Sequence, residues 1–104
     1  MTISILAESK PGSGNVTILY SPNVNQTVTG TVFCMNQSGY IDLISVALVA
    51  NGNILTSNCW ICCNTTIYPG ESVYLQQLYL NQQDSIVVKN DIGQTGFIFN
   101  GTYF

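Results

Sequence analysis

Four cysteines, Cys34, Cys59, Cys62 and Cys63, are the residues of this chain whose type and spacing could carry chemistry. Cys59-Trp60-Ile61-Cys62 has the two-residue spacing of zinc and redox motifs, and four thiolates could make a tetrahedral metal site. The surroundings argue against both. Trp60 and Ile61 are bulky and β-prone, where a zinc knuckle needs a turn. Cys62 and Cys63 are adjacent, so on a strand they point to opposite faces, with Cys59 on the side of Cys63. A redox pair is expected at a helix N-terminus, which lowers the thiol pKa, and no helix is expected here. The preferred reading is buried thiols acting as small hydrophobes. A zinc site and a disulfide are the alternatives.

The acidic residues offer less. Asp42, Glu71, Asp84 and Asp91 are scattered, with no pairing that suggests glycosidase work and no calcium-loop spacing. Asp84 and Asp91 flank a strand in turns, where Asp caps the backbone. There is no phosphate-binding loop and no dinucleotide fingerprint. The chain contains no histidine and no arginine. Histidine is the commonest general acid/base and metal ligand, and arginine the usual clamp for phosphate and carboxylate. The expectation is therefore a protein that is not an enzyme, with no catalytic, cofactor-binding or metal site and no cofactor.

Only 7% of the 104 residues are charged, where ordinary domains carry roughly 25%. Asn, Gln, Ser and Thr take the place of Lys, Glu and Arg, and the net charge is −3. No basic patch serves nucleic acid, and no polybasic segment serves anionic lipid. Weakly charged surfaces associate readily, which points to life in an assembly. Met1–Ala7 is short and lacks a basic flank, so no secretory signal is expected. The longest apolar run, Leu43–Ala50, is interrupted by Ser45 and is too short for a membrane span. Five Asn-x-Ser/Thr sequons, at Asn15, Asn25, Asn36, Asn64 and Asn100, carry no glycosylation meaning without a signal peptide.

The elements that must position these residues are all strands. Val, Ile, Thr, Tyr and Phe dominate the apolar runs, and turn signals recur at short intervals. Candidate strands are Val16–Tyr20, Gln26–Cys34, Tyr40–Ala50, Ile54–Leu55, Cys59–Cys63, Ser72–Leu80, Ser85–Lys89 and Gly96–Tyr103. The fold class is all-β, a single antiparallel β-sandwich, jelly-roll-like, of about seven or eight strands.

Thr27, Thr29 and Thr31 alternate with Val28, Gly30 and Val32, giving one wet and one packed face. In Tyr40–Ala50, Ile41, Leu43, Ala47 and Val49 back onto Ile44, Val46, Leu48 and Ala50. A strand apolar on both sides is covered twice, and a neighbouring subunit could supply the second cover. Simple alternation in Ser72–Leu80 sets Val73, Leu75 and Tyr79 against Tyr74, Leu78 and Leu80. Gln76 and Gln77 then lie mid-strand, where a symmetric interface could satisfy their amides. Phe97 and Phe99 should point one way. Asn51-Gly52 suits a type I′ hairpin, and Pro69-Gly70 a type II turn. Trp60 reads equally as core or as an interface anchor.

Residues 1–14 read as an N-terminal arm and linker, and 15–104 as the sandwich domain. Thr2–Leu6 is a short β-prone run, and Pro11-Gly12-Ser13-Gly14 a hinge. Fully extended, such an arm reaches about 45–50 Å and could add a strand to a neighbour's sheet. The equal alternative is a first strand of the chain's own sandwich.

In order along the chain stand Ile5-Leu6, Leu19-Tyr20-Ser21-Pro22-Asn23, Gln26-Thr27-Val28-Thr29 and Val32-Phe33-Cys34-Met35-Asn36. Pro69-Gly70-Glu71-Ser72-Val73, Asp84-Ser85-Ile86-Val87-Val88 and Phe97-Ile98-Phe99-Asn100-Gly101 follow. From about Ile5 to Phe104 this succession resembles small β-sandwich virion structural proteins of tailed bacteriophages, cyanophage-like ones included. The chain departs from that pattern at Tyr103-Phe104 and in the Cys59–Cys63 cluster. The resemblance implies a structural particle component and supplies no catalytic residue. The expected function is a capsid decoration or cement protein, a homotrimer bridging major capsid subunits on the virion surface, made in the host cytoplasm. The alternative is a tail, collar or fibre-associated receptor-binding module whose exposed aromatics meet cell-surface glycan. Neither reading involves direct contact with nucleic acid or membrane.

Overall fold

In the computed structural model, residues 4–51, 54–55 and 59–103 are described. They form nine strands: β1 (Ser4–Ser9), β2 (Thr17–Tyr20), β3 (Val28–Asn36), β4 (Asp42–Val49), β5 (Trp60–Ile67), β6 (Ser72–Tyr74), β7 (Leu78–Leu80), β8 (Ser85–Asn90) and β9 (Thr95–Tyr103). All pairings are antiparallel. One sheet runs β1-β9-β3-β6, with β7 beside β6 on the same edge of β3, and the other runs β2-β8-β4-β5. The ladders β1·β9, β2·β8, β3·β6/β7 and β4·β5 nest inside one another. Rolling that nested ribbon over itself lays β9 against β3 and β8 against β4, which is jelly-roll topology.

The segment Ser4–Ser9 is an edge strand of the chain's own sheet. It pairs with β9 from Ser4↔Gly101 to Ser9↔Phe97. Of the two readings left open for the first 14 residues, an arm reaching elsewhere or a strand docked at home, the geometry has the second. The hinge residues are the crossing from one sheet to the other, tied down where the Gly14 amide donates to the Asn90 carbonyl (2.9 Å).

Strand alternation supplies the core as expected. Val28, Val32 and Cys34 of β3, Ile44 and Val46 of β4, Ile86 and Val88 of β8, and Phe97 and Phe99 of β9 fill the space between the sheets. Both faces of β4 are apolar, but the second cover is the chain's own. Leu55 and Cys59 from the β4–β5 connection and Trp60 at the start of β5 pack onto Ala47, Val49 and Val87 on the outer face. A neighbouring subunit is not needed for that purpose. Trp60 is half-buried there, part of a small outer cluster.

Two local expectations change. Ile54–Leu55 is not a strand, and β4 pairs with β5 through Ala47↔Trp60, so the connection is longer than a two-residue hairpin. The turn expected at Asn51-Gly52 lies outside the described residues. Ser72–Leu80 is not one regular strand either. The register of β3 with β6 (Phe33↔Tyr74) and with β7 (Gly30↔Leu78) differs by one residue, so Gln76 and Gln77 together oppose Thr31. This β-bulge resets the side-chain alternation. Val73, Leu75, Leu78 and Leu80 all turn inward, while Tyr74 and Tyr79 turn out. The Gln77 amide donates to Thr29 Oγ1 (2.8 Å) within the chain, so no symmetric interface is needed to satisfy it. The Pro69-Gly70 turn is type II as expected, with Gly70 at φ 76° and the Glu71 amide donating to the Tyr68 carbonyl at 2.9 Å.

Candidate functional site

The jelly-roll topology gathers three loops at one end of the sandwich: 37–41 after β3, 68–71 after β5 and 91–94 after β8. Two buried side chains fasten them. Asn36, the last residue of β3, is 1% exposed. Its Nδ2 donates to the Tyr40 carbonyl (2.7 Å) and the Ile67 carbonyl (3.1 Å), and its Oδ1 accepts from the Ser38 amide (3.0 Å) and hydroxyl (2.7 Å). Its backbone takes the 68–71 turn, accepting from the Gly70 amide and donating to the Glu71 carbonyl.

Asp42 opens β4 and is also 1% exposed. Oδ1 accepts from the amides of Leu43 (2.8 Å), Asp91 (2.9 Å) and Ile92 (3.0 Å), and Oδ2 from the Thr95 hydroxyl (2.7 Å). Burial by itself would raise this carboxyl, but the Thr95 hydroxyl and the three amides outweigh it. They hold the pKa below the usual carboxylate range. Asn90 completes the set. It donates to the Thr95 carbonyl (3.0 Å) and accepts from the Gly93 amide (3.0 Å). No buried side-chain nitrogen or oxygen among the described residues is left without a partner.

These pins leave apolar side chains facing outward on rigid backbone. Tyr40 is 74% exposed, Ile41 54% and Tyr68 57%. With Pro69 and Ile92 they surround an open depression of about 740 Å³. Exposed apolar surface clustered on fixed loops is the arrangement expected of a contact surface rather than of scattered surface residues. Sequence reasoning missed the two pins. It read Asn36 as a sequon and placed Asp42 among scattered acids. The signal was in the alternation: Asn36 is in phase with Val28, Val32 and Cys34, and Asp42 with Ile44 and Val46, so each is a polar residue at a core position.

The cysteines separate onto different surfaces. Cys34 is fully buried in β3, and burial pushes its thiol up to about 12, with neighbouring Cys62 acting in the same direction. Cys62 packs against the main core. Burial raises its thiol against the lowering effect of hydrogen bonds with the Val46 backbone and the Thr65 side chain. Cys63 is exposed on the opposite side, and Cys59 joins the outer cluster with Trp60. The expected split of Cys62 from Cys63 is present. Among the described residues, no three His, Cys, Asp or Glu side chains converge as metal ligands would.

Of the remaining acids, Asp84 and Glu71 act as local caps, whereas Asp91, expected to cap, engages the other described residues through its backbone alone. Asp84 accepts from the amides of Asn51 and Asn81 (both 2.9 Å), and Glu71 from the amide of Tyr68 (2.9 Å). Comparison with family models, characterised proteins and solved structures finds no match to this chain.

Proposed function

We propose that the chain is a non-enzymatic structural subunit of a phage virion, a decoration protein that self-associates, as a trimer, and seats on major capsid subunits. The observation that carries this reading is the apolar depression of Tyr40, Ile41, Tyr68, Pro69 and Ile92, fixed from below by Asn36 and Asp42. A preorganised contact surface binds without the entropy cost of ordering loops. Apolar and aromatic anchors are the residues that concentrate binding energy at protein interfaces. The near absence of charge suits contacts that must hold over a range of salt. The ordered motif resemblance to small virion proteins points the same way.

The test combines position and contact. A labelled antibody against the protein is imaged on purified particles, and particles are reassembled with wild-type protein or with the double variant Tyr40→Ser, Ile41→Ser. Regular label over the head, and a double variant that keeps its melting temperature but leaves shells undecorated, are the expected results. Full decoration by the double variant removes the contact surface. Label confined to the tail transfers the protein to the adhesion reading.

A further inference from the structure

The outer face of the β1-β9-β3-β6/β7 sheet carries a second depression, far from the core polar network in chemistry. It has a volume of about 470 Å³ and is lined by Thr29, Thr31, Tyr74, Gln77, Asn100 and Thr102. These residues come from three adjacent strands and the bulge. Thr31 lies opposite Asn100, Thr29 opposite Thr102, and the doubled residues of the bulge put Gln77 beside Thr29.

We propose that this groove binds a neutral oligosaccharide, with a sugar ring stacked on Tyr74 and hydroxyls meeting Gln77, Asn100 and Thr31.

Three features support that chemistry. First, the lining holds hydroxyls and carboxamides with no charged side chain. Hydroxyls and amides both donate and accept, which matches a polyhydroxylated neutral ligand, and the lining offers no positive charge to phosphate, sulfate or carboxylate. Among the described residues no hydrogen bond occupies the side chains of Thr31, Asn100 or Thr102, so their donors and acceptors face solvent.

Second, the aromatic wall is preset. Tyr74 is 66% exposed and its ring is backed by Phe33, with centroids 4.4 Å apart. The backing fixes the ring so that its outer side offers a flat apolar plate beside polar groups. Tyr79 stands further along the same edge. Their β3 partners, Phe33 and Thr29, are four residues apart, so the two tyrosines lie about 13 Å apart along the sheet, a span suited to a short oligosaccharide.

Third, the competing occupant is disfavoured. A peptide would add as a strand to the β6/β7 edge, but the bulge at Gln76 and Gln77 interrupts the ladder there. This inference is independent of the shell-docking surface, which lies on the loops at the end of the sandwich.

The experiment screens the intact protein on an array of neutral and acidic glycans, then titrates the strongest neutral oligosaccharide against wild type, Tyr74→Ala and Asn100→Ala. Binding to neutral glycans that weakens at least about tenfold in Tyr74→Ala, and several-fold in Asn100→Ala with the thermal melt unchanged, is the expected result. Asn100→Ala leaves the aromatic plate in place and so carries the test if Tyr74→Ala unfolds. No binding to any neutral glycan overturns the inference. So does binding restricted to acidic glycans, or neutral binding that both variants retain.

Discussion

Removing the Asp42 carboxylate should loosen the end of the sandwich that carries the apolar depression. The group is buried and accepts four hydrogen bonds, three from backbone amides of two different segments. Asp42→Ala strands the Leu43 and Ile92 amides and the Thr95 hydroxyl in a site closed to water, while the Asp91 amide keeps the Leu43 carbonyl (3.0 Å) as acceptor. Each unsatisfied buried donor costs about 1–3 kcal/mol, and partial relaxation of the 91–95 turn brings the expected total to about 3–5 kcal/mol. Against the ~5–15 kcal/mol total typical of a domain, that is a large fraction. In urea, with a slope near ~1.5 kcal/mol per molar, the midpoint falls by about 2–3 M. Asp42→Asn keeps the shape and can offer its oxygen to the three amides, while the Thr95 hydroxyl turns to accept from the new amide. It exchanges charge-assisted bonds for neutral ones and loses about 1–2 kcal/mol.

The two variants also differ from wild type in pH dependence. The folded Asp42 carboxyl titrates below its unfolded value. Its contribution is therefore complete above the unfolded pKa of about 3.9 and disappears as pH falls through the folded value. Urea melts between pH 6 and pH 2 should show this acid-side loss in wild type and a shallower one in Asp42→Asn. An Asp42→Ala midpoint within a few tenths of a molar of wild type at neutral pH would refute the reasoning. An unchanged acid slope in Asp42→Asn would refute the protonation half of it.

Thiol labelling of the native protein should proceed in a fixed order: Cys63 first, and Cys34 only on unfolding, because Cys34 is buried with a thiol pushed up to about 12. Mass spectrometry of iodoacetamide adducts against time reads this, and early modification of Cys34 would contradict the core placement. Gly30→Ala should cost about 1–3 kcal/mol or more, since a Cβ there would strike the Asn100 carbonyl and sit 2.8 Å from Gly101 Cα. A thermal melt at wild-type temperature would show that β3 and β9 do not approach that closely. Deleting Gln76 should leave the fold intact, because it removes the extra bulge residue and keeps Val73, Leu75, Leu78 and Leu80 facing inward. The regularised edge should raise light scattering on concentration. Complete unfolding of the deletion would mean that the bulge does not set the strand's faces.

The all-β class, most strands, the two-faced character of β4 and the inward Phe97 and Phe99 were legible in the sequence. Each follows from period-2 alternation and from turn residues with local backbone preferences, both of which act over a few neighbours. Pro69-Gly70 is the clearest case, since proline presets the first central position of the turn and glycine takes the positive φ of the second without steric cost. The Gln76-Gln77 bulge was not legible, because only the registers of β6 and β7 against β3 reveal the extra residue. Nor could composition choose between an arm and an edge strand for Ser4–Ser9. The partner, β9, lies at the far end of the chain, and pairing with it is a matter of topology. The contact surface and the groove are of the same kind. Tyr40 and Tyr68 are exposed aromatics and Ile92 a half-buried aliphatic, with no local reason to meet, and Thr31, Tyr74 and Asn100 are ordinary strand residues. The nested ladders bring each set together, and the burial of Asn36 and Asp42, which depends on segments up to about 50 residues away, holds the first in place. Local chemistry determined what each strand and turn is; long-range pairing alone determined which side chains share a surface.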